Sequence, residues 1–178
     1  MQRTSRTFSI EHIEDLKQNL VSWSQQFETI LWLDSNNYQQ QYSSFDSALA
    51  IEEFTSIKTD YTNAFDKLKE YQTITKDYIF GYISYDVKND VERLSSNNYD
   101  GLNFADLYFF QPQKLIFIKG KNIEFHYLNM VADEIESDFN TICATKIIKT
   151  FDILVSCLIE LSIYLAEIQK RDGNVKLT

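Results

Sequence analysis

Along the first third of the chain the apolar positions change period, from a helical step to strand-like runs. Ile13, Leu16, Leu20, Trp23 and Phe27 recur at steps of three and four, which sets them on one stripe of an amphipathic helix. Ser9 offers an N-cap hydroxyl ahead of that stripe, and Glu11 places a carboxylate in its first turn. From Thr29 the stretch TILWLDSNN reads as a short strand, stopped by the turn residues Asp34-Ser35-Asn36-Asn37. Asn36 to Ser44 is polar and Gln-rich, as a loop or hairpin connection would be. FDSALAIEEFTSIKT partly alternates apolar and polar positions, which fits one bent strand or two short ones.

Asp60 stands where it can cap a helix carrying Ala64, Phe65, Leu68 and Tyr71 on one face. DYIFGYISYD follows as a strand apolar on both faces, which predicts a central place in a sheet. Within it Gly81 permits close packing or a kink, and Tyr82 and Tyr85 fall on opposite faces. VKNDVERL fits a short helix with Asp86 as its N-cap, and SSNNYDGLNFAD reads as a loop. LYFFQPQKLIFIKGKNIEFHYLN gives strands joined by a hairpin at Lys119-Gly120-Lys121-Asn122. In its second arm Ile123, Phe125 and Tyr127 share one face, and Glu124, His126 and Leu128 the other. In the tail, Ile147, Phe151, Leu154, Leu158, Leu161, Leu165 and Ile168 form a heptad-like stripe that predicts a long amphipathic helix ending before Asp172-Gly173. Strands mixed with flanking helices make the fold class α+β, with a largely antiparallel sheet. The change of character divides the chain into 1–140 and a helical extension, 141–178.

Composition narrows the function more than the fold. A net charge of −9, with no Lys/Arg cluster, argues against a general nucleic-acid binder, which needs a basic face to displace counterions. Every long apolar stretch carries charges, Phe151 to Ile168 included, so no membrane span is expected. Cys143 and Cys157 lie in apolar settings and read as buried thiols of a cytoplasmic protein.

Residue chemistry alone gives a non-catalytic chain. A nucleophile needs a positioned base, and the two imidazoles, His12 and His126, lie on a helix start and among polar strand positions. No metal-ligand spacing is present, and Gly81, Gly101, Gly120 and Gly173 each stand alone, unlike a phosphate cradle. Asp133, Glu134, Glu136 and Asp138 read as a solvated acidic surface. Asp34, Asp86 and Glu92 are the carboxylates nearest to element ends, with nothing in the sequence to make them converge.

Three stretches together resemble one family, component I of the chorismate-utilising enzymes: para-aminobenzoate (aminodeoxychorismate) synthase and anthranilate synthase. ILWLDSNN resembles the family's early strand, Leu-Leu-Glu-Ser in many anthranilate synthases. IFGYISYDVKNDVERL is similar to its Gly-Tyr-x-x-Tyr-Asp segment and acidic helix. NFADLYFFQPQKLIFIKGKNIEFHYL is similar to its Pro-Asp-Leu-x-Phe strand and hairpin, with Ala105 where Pro is usual. Order and spacing match over roughly residues 10 to 130, and the flavour of WLDSN and FFQP leans towards the para-aminobenzoate branch.

The resemblance implies an N-terminal domain folded like that of anthranilate synthase component I, and a parent enzyme of folate biosynthesis. That parent converts chorismate and ammonia to 4-amino-4-deoxychorismate, using Mg2+ and a glutamine amidotransferase subunit. It further implies that the chorismate and Mg2+ residues sit in a larger C-terminal chorismate-binding domain. SIYLAEIQK, residues 162 to 170, resembles that domain's opening helix, and RDGNVKLT then departs from the pattern. The expectation is therefore a scaffold or regulatory domain with an atypical or truncated end, inactive and cofactor-free by itself. By the same resemblance, Leu33, Asp34 and Ser35 match the strand that lines a tryptophan pocket, with Tyr82 and Tyr85 as neighbours. The rival readings are an interaction module that docks or self-associates through the 147–168 helix, and a sensor of small tryptophan-like molecules.

Overall fold

In the computed structural model, which describes residues 2–36, 38, 44–92 and 104–145, the apolar runs pair into one antiparallel sheet. The chain runs β1 (Arg3–Ser9), α1 (Ile13–Ser24), β2 (Ile30–Asp34), β3 (Ser47–Thr59), α2 (Ala64–Thr75) and β4 (Phe80–Ile83). A 3-10 turn (Tyr85–Val87) leads into the one-turn helix α3 (Lys88–Val91), then β5 (Leu107–Lys119) and β6 (Asn122–Leu128). A second 3-10 stretch (Asn129–Glu134) leads into α4 (Ile135–Ala144). The strand order is β1-β6-β5-β3-β2, with β4 paired to β5 off that path. The α+β class and the antiparallel sheet are as the sequence predicts.

β5 organises the sheet. β3 follows one of its edges from Leu107 to Ile118. The other edge is shared end to end, by β4 along Leu107 to Phe110 and by β6 along Lys114 to Lys119. Between them lies Pro112, which has no N–H to give a ladder. Opposite Pro112, β3 carries a bulge between Glu53 and Thr55, and Glu52 just before it adopts φ +58°. Side chains fill this break. Tyr71 of α2 accepts the Gln111 N–H at 3.1 Å and donates to the Thr55 carbonyl at 2.8 Å. Arg3 donates to the Pro112 and His126 carbonyls at 2.7 Å each and pairs with Asp77 at 2.8 Å. Backbone groups released by the proline are thus satisfied by β1 and α2.

One face of the sheet holds the main core. Leu49, Ile51, Ile116, Ile118, Ile123, Phe125 and Tyr127 meet Leu16, Leu20 and Trp23 of α1 and Ile135 and Ile142 of α4. Each fully buried Leu or Ile there contributes about 1.5–3 kcal/mol, enough to hold α1 although no side chain caps it. Beyond the bulge a smaller cluster joins Ala64, Val87 and Leu107 with Leu68 of α2. The opposite face gathers Ala48, Ala50, Phe110, Leu115 and Phe117, with Leu31, Phe45, Phe80 and Tyr108 packed against them.

The α1 stripe, β2, the helix over Ala64–Thr75 and the hairpin with Gly120 at φ +57° agree with the sequence reading. FDSALAIEEFTSIKT resolves as one bent strand. Other expectations are corrected. Ser9 ends β1, a strand the sequence does not announce because Phe8 is its one large apolar residue; His12 holds the N-cap position of α1. Asp60 accepts the Thr62 N–H in a turn ahead of α2, whose Asn63 and Ala64 N–H groups donate to Asp90 at 2.9 Å. The strand around Gly81 is a four-residue edge strand and not a central one. Its apolar run is long because residues before it pack elsewhere: Tyr78 lies 5.7 Å from the Phe117 ring. Gly81 is there for close approach, since a Cβ would collide with the Tyr108 carbonyl oxygen and stand 2.6 Å from Phe109 Cα. Ser84, not Asp86, caps the following turn, accepting the Asp86 N–H at 3.2 Å. Cys143 is exposed, because its neighbour Ile142 takes the buried face of α4. The stripe from Ile147 to Ile168, Cys157 and most of the SSNNYDGLNFAD loop lie outside the described residues.

Candidate functional site

Three neighbouring strands carry Tyr82, Tyr108 and Lys58 in a row, because Tyr82 pairs with Tyr108 and Tyr108 with Lys58 in the sheet register. The two tyrosine rings meet edge to face at 5.9 Å, and the Lys58 ammonium sits 4.6 Å from the centre of the Tyr108 ring. The Tyr108 hydroxyl donates to Glu53 at 2.6 Å, and the other Glu53 oxygen accepts from Ser56 at 2.6 Å. Burial, reinforced by the Glu53 carboxylate, pushes the Tyr108 phenol well above its ordinary pKa. Burial would also raise Glu53, but hydrogen bonds from Ser56 and Tyr108 and the Lys58 charge outweigh it, so Glu53 is held below the usual range.

This row forms one wall of a cleft of about 400 Å3. Glu28, Thr29 and Ile30 close it on one side, brought there as the Glu52 N–H extends the β2–β3 ladder to the Thr29 carbonyl at 3.0 Å. Phe104 and Ala105, just ahead of β5, close it on another. The result is an open, aromatic-lined cleft with an ammonium at its edge.

Of the residues the resemblance marks, only Tyr82 lines this cleft. Leu33, Asp34 and Ser35 lie farther along the strand whose first residue, Ile30, lines the cleft, and Asp34 pairs with Ser47 at its far end. At about 3.3 Å per residue Asp34 stands on the order of 13 Å beyond Ile30 along that strand. Asp34 accepts the Asn36 N–H at 2.8 Å and lies 3.3 Å from the buried Lys17. Those contacts outweigh its burial and hold its carboxyl below the usual range. Ser35 donates its N–H to the Asp46 carbonyl at 2.9 Å, and Leu33 is half exposed. Tyr85 lies past the end of β4, 81% exposed, with the Lys88 ammonium 4.5 Å above its ring. Sequence reasoning misses Lys58 and Tyr108 of the cleft, and Glu53, which holds the Tyr108 hydroxyl from behind the lining. Their meeting is a matter of cross-strand register, which spacing within one segment does not reveal.

A second polar cluster lies beneath α1 and α4. Lys114, 4% exposed, reaches Glu134 at 2.6 Å, Asp138 at 3.0 Å and Glu52 at 3.9 Å. Tyr127 donates to Asp138 at 2.9 Å, and the rings of Trp23, Phe27 and Tyr127 surround the ammonium at 5.0–5.9 Å. The predicted solvated acidic surface is corrected at Asp138, which is 15% exposed and pairs with a buried cation, while Glu134 reaches the same cation with 45% of its side chain still exposed. Burial alone would lower Lys114, but the two carboxylates outweigh it and hold the amine protonated above its ordinary value. A lysine so held is a structural cation and not a nucleophile.

His126 lies on the opposite sheet face, as its polar neighbours suggest. Its ring contacts the Ser5 hydroxyl at 2.9 Å and Glu124 at 3.4 Å, and it lines a cleft of about 330 Å3 with Phe45, Tyr78 and Phe117. Ser5 is its direct cross-strand partner, so the pair is a rung of the β1–β6 ladder. Among the described residues no group of three or more His, Cys, Asp or Glu side chains is placed to hold a metal ion, and no helix is long and apolar enough to cross a membrane. No protein-family model and no curated protein matches the chain.

Proposed function

We propose that residues 2–145 form the scaffold domain of a component I enzyme of the chorismate-utilising family, on the para-aminobenzoate or the anthranilate branch, with the Tyr82–Tyr108 cleft as its small-molecule site. One observation carries the reading. The three stretches that resemble the family, far apart in the chain, converge on this cleft: Ile30 from the first, Tyr82 from the second, Ala105 and Tyr108 from the third. The antiparallel α+β architecture agrees with the fold that the resemblance implies.

The cleft's chemistry favours binding over reaction. The Tyr108 phenol is engaged with Glu53 and kept protonated, and Glu53 is engaged on both oxygens. In this reading chorismate, Mg2+ and ammonia from the amidotransferase meet in a chorismate-binding domain outside the described residues. Incubating the chain with chorismate, ammonia and Mg2+ tests it, with chorismate followed by its absorbance. The expected result is no loss beyond the buffer control; consumption by this chain alone would overturn the scaffold assignment.

A further inference from the structure

We propose that Ser5, His126 and Glu124 form a nucleophilic site that hydrolyses small carboxylic esters, a role independent of the Tyr82–Tyr108 cleft. The three side chains stand in a row. The Ser5 hydroxyl meets His126 Nδ1 at 2.9 Å, and His126 Nε2 lies 3.4 Å from the Glu124 carboxylate. Nucleophile, base and orienting carboxylate in that order are what activates a serine. Register brings them together, since Ser5 stands opposite His126 and Glu124 is two residues away on the same face of β6. The Asn129 N–H donates to the Gln2 carbonyl and the Ile10 N–H to the Lys121 carbonyl, so the even-numbered residues of β1 make the hydrogen-bonded pairs with β6. Ser5 and His126 are therefore a non-hydrogen-bonded pair, the kind whose side chains come closest.

The same alternation turns the Ser5 N–H away from β6. Among the described residues β1 is the last strand on its side of the sheet, so this N–H points to the open edge. There it can donate to the oxyanion of an acyl group under attack by Ser5 Oγ. The nucleophile is reachable and the base is fixed. Ser5 is exposed, whereas the His126 side chain is 21% exposed and its carbonyl accepts from Arg3 at 2.7 Å. The imidazole packs edge to face with Phe117 at 5.4 Å and Tyr78 at 6.4 Å, and Tyr78, 48% exposed, offers apolar surface to an acyl chain.

With Nε2–H donating to Glu124, Nδ1 takes the Ser5 proton as Oγ attacks the ester carbonyl. The imidazolium returns that proton to the departing alkoxide, so an alcohol leaves and Ser5 keeps the acyl group. Water then gives a proton to Nδ1 and its oxygen takes the acyl group; Ser5 Oγ recovers the proton as the carboxylic acid leaves.

The test treats the full chain with p-nitrophenyl acetate and with diisopropyl fluorophosphate. The phosphoryl reagent is expected to label Ser5, located by peptide mass mapping, and to abolish ester hydrolysis in proportion. Ser5→Ala and His126→Gln should each lower hydrolysis about tenfold or more, and together no more than either alone, because residues acting as a unit are not additive. Glu124→Gln should slow the labelling of Ser5 at an unchanged urea midpoint, which loss of a merely structural contact would not do. His12→Gln, at the exposed start of α1, controls for a free imidazole and should change nothing. Absence of label from Ser5 in the unaltered chain, or hydrolysis that survives Ser5→Ala, would overturn the site.

Discussion

At Lys114 a full positive charge lies beneath α1 and α4, where transfer from water costs several kcal/mol unless carboxylates follow it in. Glu134 and Asp138 do so, four residues apart on one helical face. That spacing is visible in ADEIESD; the destination is not, because Lys114 sits twenty residues upstream on another strand. Lys114→Met should leave Asp138, 15% exposed, without its cation while the more exposed Glu134 stays hydrated, and cost about 3 kcal/mol, read as a lower urea midpoint at neutral pH. Asp77 gives a pH dependence of definite sign. Burial would raise its pKa, but Arg3, Gln111 and the Tyr78 N–H outweigh burial and hold it below the usual range. A carboxylate depressed by folding adds stability that is complete above the unfolded value near 3.8 and is lost as pH falls through the folded one. Urea unfolding should therefore show stability dropping in acid below about pH 4, and Asp77→Asn should flatten that limb.

Among the elements, those built from local pattern were legible: α1 from its stripe, the β5–β6 hairpin from Gly120, and β3 from its alternation. β1 and β4 were not, because each owes its place to partners distant in sequence. β1 is held by the ladder to β6 and by Arg3 across the break in β5. β4 misleads in the other direction, since an edge strand that lets another backbone in closely can look as apolar as a central one. Gly81→Ala should push β4 off β5 at a cost of about 1–3 kcal/mol. Hydrogen exchange is expected to accelerate at Phe80–Ile83 while the β6 amides stay protected. Lys76, at the end of α2, adopts φ +49° and donates its N–H to the Gln72 carbonyl, a geometry that glycine takes without penalty. Lys76→Gly should raise stability by about 0.5–1 kcal/mol in thermal or urea unfolding.

For the molecule as a whole, the sequence conveys class and sheet type but not which residues share a site. Tyr82 is the marked residue that lies in the cleft; its partners Lys58 and Tyr108 come from register across β3, β5 and β4. Arg3 is where separate elements depend on one side chain, since its guanidinium holds β1, β5, β6 and the approach to β4 together. Arg3→Met should leave the Pro112 and His126 carbonyls and the Asp77 carboxylate without their donor. The expected cost is about 3 kcal/mol, measured by chemical denaturation.

The proline in β5 also limits how the sheet can misassemble. Moving β3 by one residue against β5 would bring a regular stretch of ladder to Pro112, which cannot donate, and carry the Phe54 bulge to a place where every N–H is present. Such a slip would also turn Lys58 away from Tyr108 and bring Glu52 out of line with Lys114. The cleft and the buried cation thus share one phase reference, and a chain that assembles one of them correctly has the other in place.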